Sequence, residues 1–155
     1  MGRNLSGANF RNTKLFRVNF SRTDLRNADF SGTDVSGCDF TGATLTQATF
    51  HQLQTSYGTK FSGAKLQRTD FTKAVLEGAD FSNANLQGAN FIEARLVNAN
   101  LKNADLRWVD LSKAELYGNL YTNARINKTK FTDAKACGFD ATTFGLSALT
   151  RLPPG

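Results

Sequence analysis

The sequence predicts an all-β solenoid, a rod of stacked four-sided coils, and three observations predict it. A Leu or Phe recurs at every fifth position, a small residue stands two places before each, and comparing every twentieth position sorts the large residues into columns. The stretch ADFSNANLQGANFIEARLVNANLKNADL, residues 79–106, shows the first two features. A helix repeats at about 3.6 residues and a strand at about 2, so a period of five needs a short extended piece followed by a corner.

The large residues mark the centre of each unit. They fall at 5, 10, 15 and onward to 50, then from 61 to 136 in the same step. With Thr55 as the centre inside 51–60, there are 27 units, and 22 of the centres are Leu or Phe. Of the 27 positions two before a centre, 24 are Ala, Thr, Val or Cys, small enough to clear the packed centres. The remaining positions are polar or Gly, which suits turns and solvent.

Taking every fourth unit separates Leu columns from Phe columns. Leu25, Leu66, Leu86 and Leu106 share the first wall; Phe30, Phe50, Phe71 and Phe91 share the second. Val35, Leu76, Leu96 and Leu116 line the third, and Phe20, Phe40, Phe61, Phe81 and Leu101 the fourth. Within these columns the expected core is Leu25, Phe30, Phe40, Phe71, Phe81, Leu86, Phe91, Leu96, Leu101 and Leu106. About seven coils at a strand spacing of about 4.8 Å make a rod roughly 30 Å long.

The columns stay in phase across HQLQTSYGTK, residues 51–60, if that stretch holds two units plus one residue. A one-residue bulge is therefore expected near 56–58, and no domain boundary. The repeat runs over 1–136, and CGFDATTFGLSALTRLPPG, residues 137–155, is expected to be a cap and tail, with a short helix stopped by Pro153-Pro154. At the other end the first coil is bare, which calls for an upstream cap or an end-to-end oligomer contact.

The motif A(D/N)(L/F)xx, as in Ala79-Asp80-Phe81 and Ala84-Asn85-Leu86, resembles the pentapeptide repeat family. The resemblance covers residues 3–136 and implies a right-handed quadrilateral parallel β-helix, often with a helical cap. The family is abundant in cyanobacteria, and most members have no assigned role. Its best-understood members protect DNA gyrase from quinolones by imitating the shape and charge of DNA. A fold does not carry a function with it.

Catalytic chemistry is hard to find in the sequence. The sole histidine, His51, follows centre Phe50 and reads as a solvent-facing corner residue. Cys38 fills a small inward position, while Cys137 lies near the expected cap, about five coils away and too far for a disulfide. Asp24, Asp29, Asp34 and Asp39 sit on four different walls, so they diverge and read as corner-bonding residues. No enzyme, no cofactor and no metal site is expected.

Surfaces remain. The chain carries 19 Lys+Arg against 13 Asp+Glu, a net charge of +6. The excess gathers on wall one, where Arg26, Lys65, Arg68, Arg107, Arg125 and Lys128 accompany Trp108. That wall is a candidate for an anionic ligand or nucleic acid. Wall three carries Phe16, Tyr57, Val75, Val97 and Tyr117 at outward positions, the usual mark of a protein contact. The first expectation is a scaffold or regulatory module that presents wall three to a protein partner. Gyrase protection by DNA mimicry has the wrong sign of charge. With no signal peptide and no membrane-spanning run, the expected location is the cytoplasm, with no membrane partner.

Overall fold

The computed structural model describes residues 3–54 and 56–136, and these form a solenoid held by parallel bridges between residues one coil apart. Asn4 pairs with Asp24 and Asp24 with Thr44; parallel ladders through Asn9↔Asp29, Lys14↔Asp34 and Asn19↔Asp39 run beside that one. Each ladder takes one bridge residue per coil, so no side is long enough to form an extended strand. The cap expected over 137–155, with Cys137, lies outside the described residues.

Most corners are built the same way. The N–H of the small residue returns to the carbonyl of the centre three places earlier, as in Ala28 to Leu25 at 3.1 Å and Ala43 to Phe40 at 2.9 Å. The second turn residue has positive φ, from +51° to +61° where it is not glycine. That conformation costs about 1 kcal/mol or more for a residue with a Cβ, and Asn or Gly answers it most readily. Gly32 and Gly118 have a further reason to be glycine, because a Cβ there would run into the side chains of Asn12 and Asn98, one coil back.

Where it is Asp or Asn, the residue before a centre fastens the corner from outside. Asp24, Asp29, Asp34 and Asp39 each accept the N–H two places on, at 3.2, 2.9, 3.0 and 2.8 Å. The four carboxylates diverge on separate walls, as the column assignment requires.

Inside, the columns become stacks. Phe30 lies on Phe50 with centroids 4.7 Å apart and planes 1° from parallel, and Phe40 lies on Phe61 at 5.1 Å and 4°. Rings from the two walls meet edge to face, as Phe40 and Phe50 do at 5.6 Å and 89°. This combination satisfies the ring quadrupoles while filling the interior. All ten expected core residues are buried.

The irregular stretch differs from expectation. Ser56 supplies a buried inward position, and Tyr57-Gly58 forms an ordinary corner whose Tyr57 carbonyl accepts the N–H of Gly37 at 3.1 Å. The extra residue therefore falls between Leu53 and Ser56, two to three places before the expected 56–58. Size explains the shift. Leu53 occupies a position elsewhere held by Ala or Thr and is fully buried, so the adjoining centre must be small. The Ser56 hydroxyl, buried with it, donates to the Val75 carbonyl.

Candidate interaction surface

Wall three is a flat strip with three columns of outward residues. One edge is the corner column Lys73, Glu93, Lys113, Asp133; the middle is Val75, Arg95, Glu115, Lys135; the far edge is Glu77, Val97, Tyr117. Ala74 lies in the floor of a shallow groove of about 700 Å³ between the first two columns.

The aromatic residues expected on this wall are present at its surface. Tyr57 is 73% exposed, Phe16 60% and Tyr117 37%, while Val75 and Val97 are half-buried among their neighbours. They do not form one continuous patch. Phe16 stands near the N-terminal end beneath the Arg17 guanidinium, 4.8 Å from its ring centre, whereas Val97 and Tyr117 are on adjacent coils.

Between them runs a charge network that counting charges per wall had missed. Arg95 reaches Glu77 at 3.0 Å and Glu115 at 3.3 Å, Lys135 reaches Glu115 at 3.6 Å, and Lys73 approaches Glu93 at 3.9 Å. The signal was present in the sequence as alternation of sign at the coil period.

Wall one is less basic than its composition suggested. Asp24 grips Arg26 at 2.6 Å and Asp105 grips Arg107 at 2.6 Å, with Arg125 adding a contact to Asp105 at 3.4 Å. The Arg107 bond, helped by Gln87, holds the Asp105 carboxyl down at about 2. Lys65, Arg68 and Lys128 make no ion pair among the described residues. Trp108 is exposed between Arg107, 5.4 Å from its ring centre, and Lys128, at 5.8 Å. Arg26 stands apart near the N-terminal end, so the seven residues do not converge on one site.

The remaining chemistry is structural. Cys38 is buried, and burial pushes its thiol up to about 11. No group of three His, Cys, Asp or Glu residues that could hold a metal occurs among the described residues. No helix among them is long and apolar enough to cross a membrane.

Comparison with known families agrees with the coil geometry. Eight copies of the pentapeptide-repeats model match across residues 4–42, 23–54, 57–91 and 89–118. The chain belongs to the pentapeptide repeat family, and its fold is an all-β solenoid. No curated protein sequence matches it significantly. Among solved structures it is similar to QnrB1, a plasmid-mediated fluoroquinolone resistance protein, with 20% identity, 96% of this chain and 84% of that one covered, and a TM-score of 0.39. HetL from the cyanobacterium Nostoc, involved in heterocyst differentiation regulation, is 23% identical over 86% of this chain and 84% of its own, with a TM-score of 0.29. A pentapeptide repeat protein from the thylakoid lumen of Arabidopsis thaliana is 27% identical over 81% and 62%, with a TM-score of 0.32. At these scores the three likenesses bear on neither partner nor role.

Proposed function

We propose that this protein is a non-enzymatic interaction module, a right-handed rod of about seven quadrilateral coils that presents wall three to a protein partner. The described residues form the rod, and the module works in the cytoplasm. The observation that carries this reading is the exposure of Tyr57 and Tyr117, with Val97, on one face of a scaffold too rigid to fold them away. The test is capture of a binding protein by the parent beside a Tyr57→Ser, Val97→Ser, Tyr117→Ser variant of equal stability. A partner held by the parent and lost by the variant supports the reading; equal capture by both removes it.

A second reading gives wall one an anionic ligand or a nucleic acid, favoured by Lys65, Arg68 and Lys128 and by the exposed Trp108 on the same wall. A flat strip with one aromatic ring lacks the successive stacking rings of single-strand binders. Binding of an oligonucleotide that weakens steeply with salt, and that Lys65→Ser, Arg68→Ser, Lys128→Ser abolishes, would establish it. Gyrase protection by DNA mimicry ranks third. A surface imitating DNA must be negative, and this chain carries +6.

A further inference from the structure

The order of charges on wall three, and not their number, distinguishes this face. Along its corner column the sign alternates from Lys73 through Glu93 and Lys113 to Asp133, one residue per coil. In the middle column Arg95, Glu115 and Lys135 alternate as well, in the opposite phase at each level.

We propose that this wall binds a second copy of the same chain, with the two rods side by side and antiparallel. The two-fold axis lies in the plane of the wall, across the rod, midway between the levels of Glu93 and Lys113. The proposal rests on reading wall three as a protein-contact face and names the protein.

Under such an axis each column faces itself reversed. Lys73 then meets Asp133 of the second copy, and Glu93 meets Lys113. In the middle column Arg95 meets Glu115. On the far edge Val97 meets Tyr117, so the axis chosen by charge also joins the two apolar groups. Half-coil shifts and a parallel pair fail on the same residues, while a shift of one whole coil keeps opposite signs but parts Val97 from Tyr117. Moving the axis half a coil toward the N-terminus sets Glu93 on Glu93, Arg95 on Arg95 and Lys73 on Lys113. Moving it half a coil the other way sets Glu93 on Asp133 and Arg95 on Lys135. A parallel pair sets Arg95 on Arg95 and Glu115 on Glu115. Opposed like charges are how an interface rejects wrong registers.

Alternation of sign also serves the single rod, where Arg95 pairs with Glu115. The dimer rests on the coincidence of three columns at one axis. Its footprint is small, four coil levels at about 4.8 Å each. Exposed ion pairs are individually weak and screened by salt, which places the complex among weak, salt-sensitive ones.

The test is analytical ultracentrifugation of the full chain from micromolar to near-millimolar, in low and high salt. The expected mass doubles from 16.9 kDa with concentration in low salt and returns to that of the monomer in high salt. Glu93→Lys and Lys113→Glu sit at exposed corners, and circular dichroism checks that each still folds. Each alone should stay monomeric. An equimolar mixture of the two should dimerise, since every crossed pair is again opposite in sign, and the double swap within one chain should self-associate. A parent that stays monomeric, single variants that dimerise like the parent, or a mixture that does not associate overturns the proposal. If the parent is monomeric and yet loses a captured protein through the Tyr57, Val97 and Tyr117 serine changes, the dimer falls and the wall's wider role stands. If the serine variant captures equally, the wider role falls as well.

Discussion

The thiol of Cys38 donates to the carbonyl of Leu15 at 2.5 Å, on the preceding coil. Hydroxyls at equivalent small positions do the same, Thr33 to Phe10 at 2.7 Å, Thr59 to Val35 at 2.9 Å and Thr69 to Leu45 at 3.0 Å. These inward polar atoms are satisfied where an alanine would leave nothing to satisfy. Cys38→Thr should therefore keep stability within about 1 kcal/mol, the size of one hydrogen bond. Cys38→Leu should lose about 1–3 kcal/mol by overpacking. Urea unfolding of both variants decides.

Deleting a ring from the stack should be far more damaging. Phe71 lies between Phe50, at 5.0 Å, and Phe91, at 4.7 Å, and meets Phe61 and Phe81 edge-on at 5.7 Å. Phe71→Ala removes all four contacts and leaves a cavity, for an expected loss of about 3–5 kcal/mol. A charge at fully buried Leu86, as in Leu86→Asp, should prevent the coils on either side from stacking. The readout is the denaturation midpoint for the first and loss of the β signal in circular dichroism for the second.

Acid should destabilise the rod partly through Asp105. Its carboxyl is held at about 2 by Arg107, below the ordinary 3.8 of the unfolded chain. Depression in the folded state means that the contribution is complete above pH 4 and is lost as pH falls toward 2. It amounts to about 2 kcal/mol on that difference. Asp105→Asn should lower stability at neutral pH and flatten its dependence between pH 4 and 2, as measured by thermal melts across that range.

The sole tryptophan reports on the field at wall one. With Arg107 and Lys128 on either side of an exposed indole, iodide should quench Trp108 fluorescence more strongly than caesium does. The difference should shrink in high salt. Equal quenching would show that Asp105 neutralises the local charge.

Much of this architecture is legible in the residues themselves. Burial at a fixed period leaves its mark on composition, so Phe30 and Phe50 announce a shared column before any coordinate does. The irregular stretch was harder because two exchanges act together, a large Leu53 where a small residue belongs and a small Ser56 where a large one belongs. Counting in fives places Thr55 inward; packing places Ser56 there. On the surface, which residues point outward follows from the same period, and Tyr57 and Tyr117 are where it puts them. The pairing of Arg26 and Arg107 did not follow, because a charge count does not say that Asp24 and Asp105 reach two residues along to hold them.

The single extra residue between Leu53 and Ser56 shows what keeps the levels aligned. The ladders on either side continue undisturbed, Asp39 to Lys60 and Thr49 to Asp70, although the sequence step there is 21 instead of 20. Height along the molecule is thus measured in backbone hydrogen bonds, and chain length between rungs is free to vary within a side. The molecule behaves as a ruler with fixed graduations and adjustable loops between them. Excising one whole graduation, residues 79–98, would shorten it by a single step of about 4.8 Å and leave every side of the remainder facing as before.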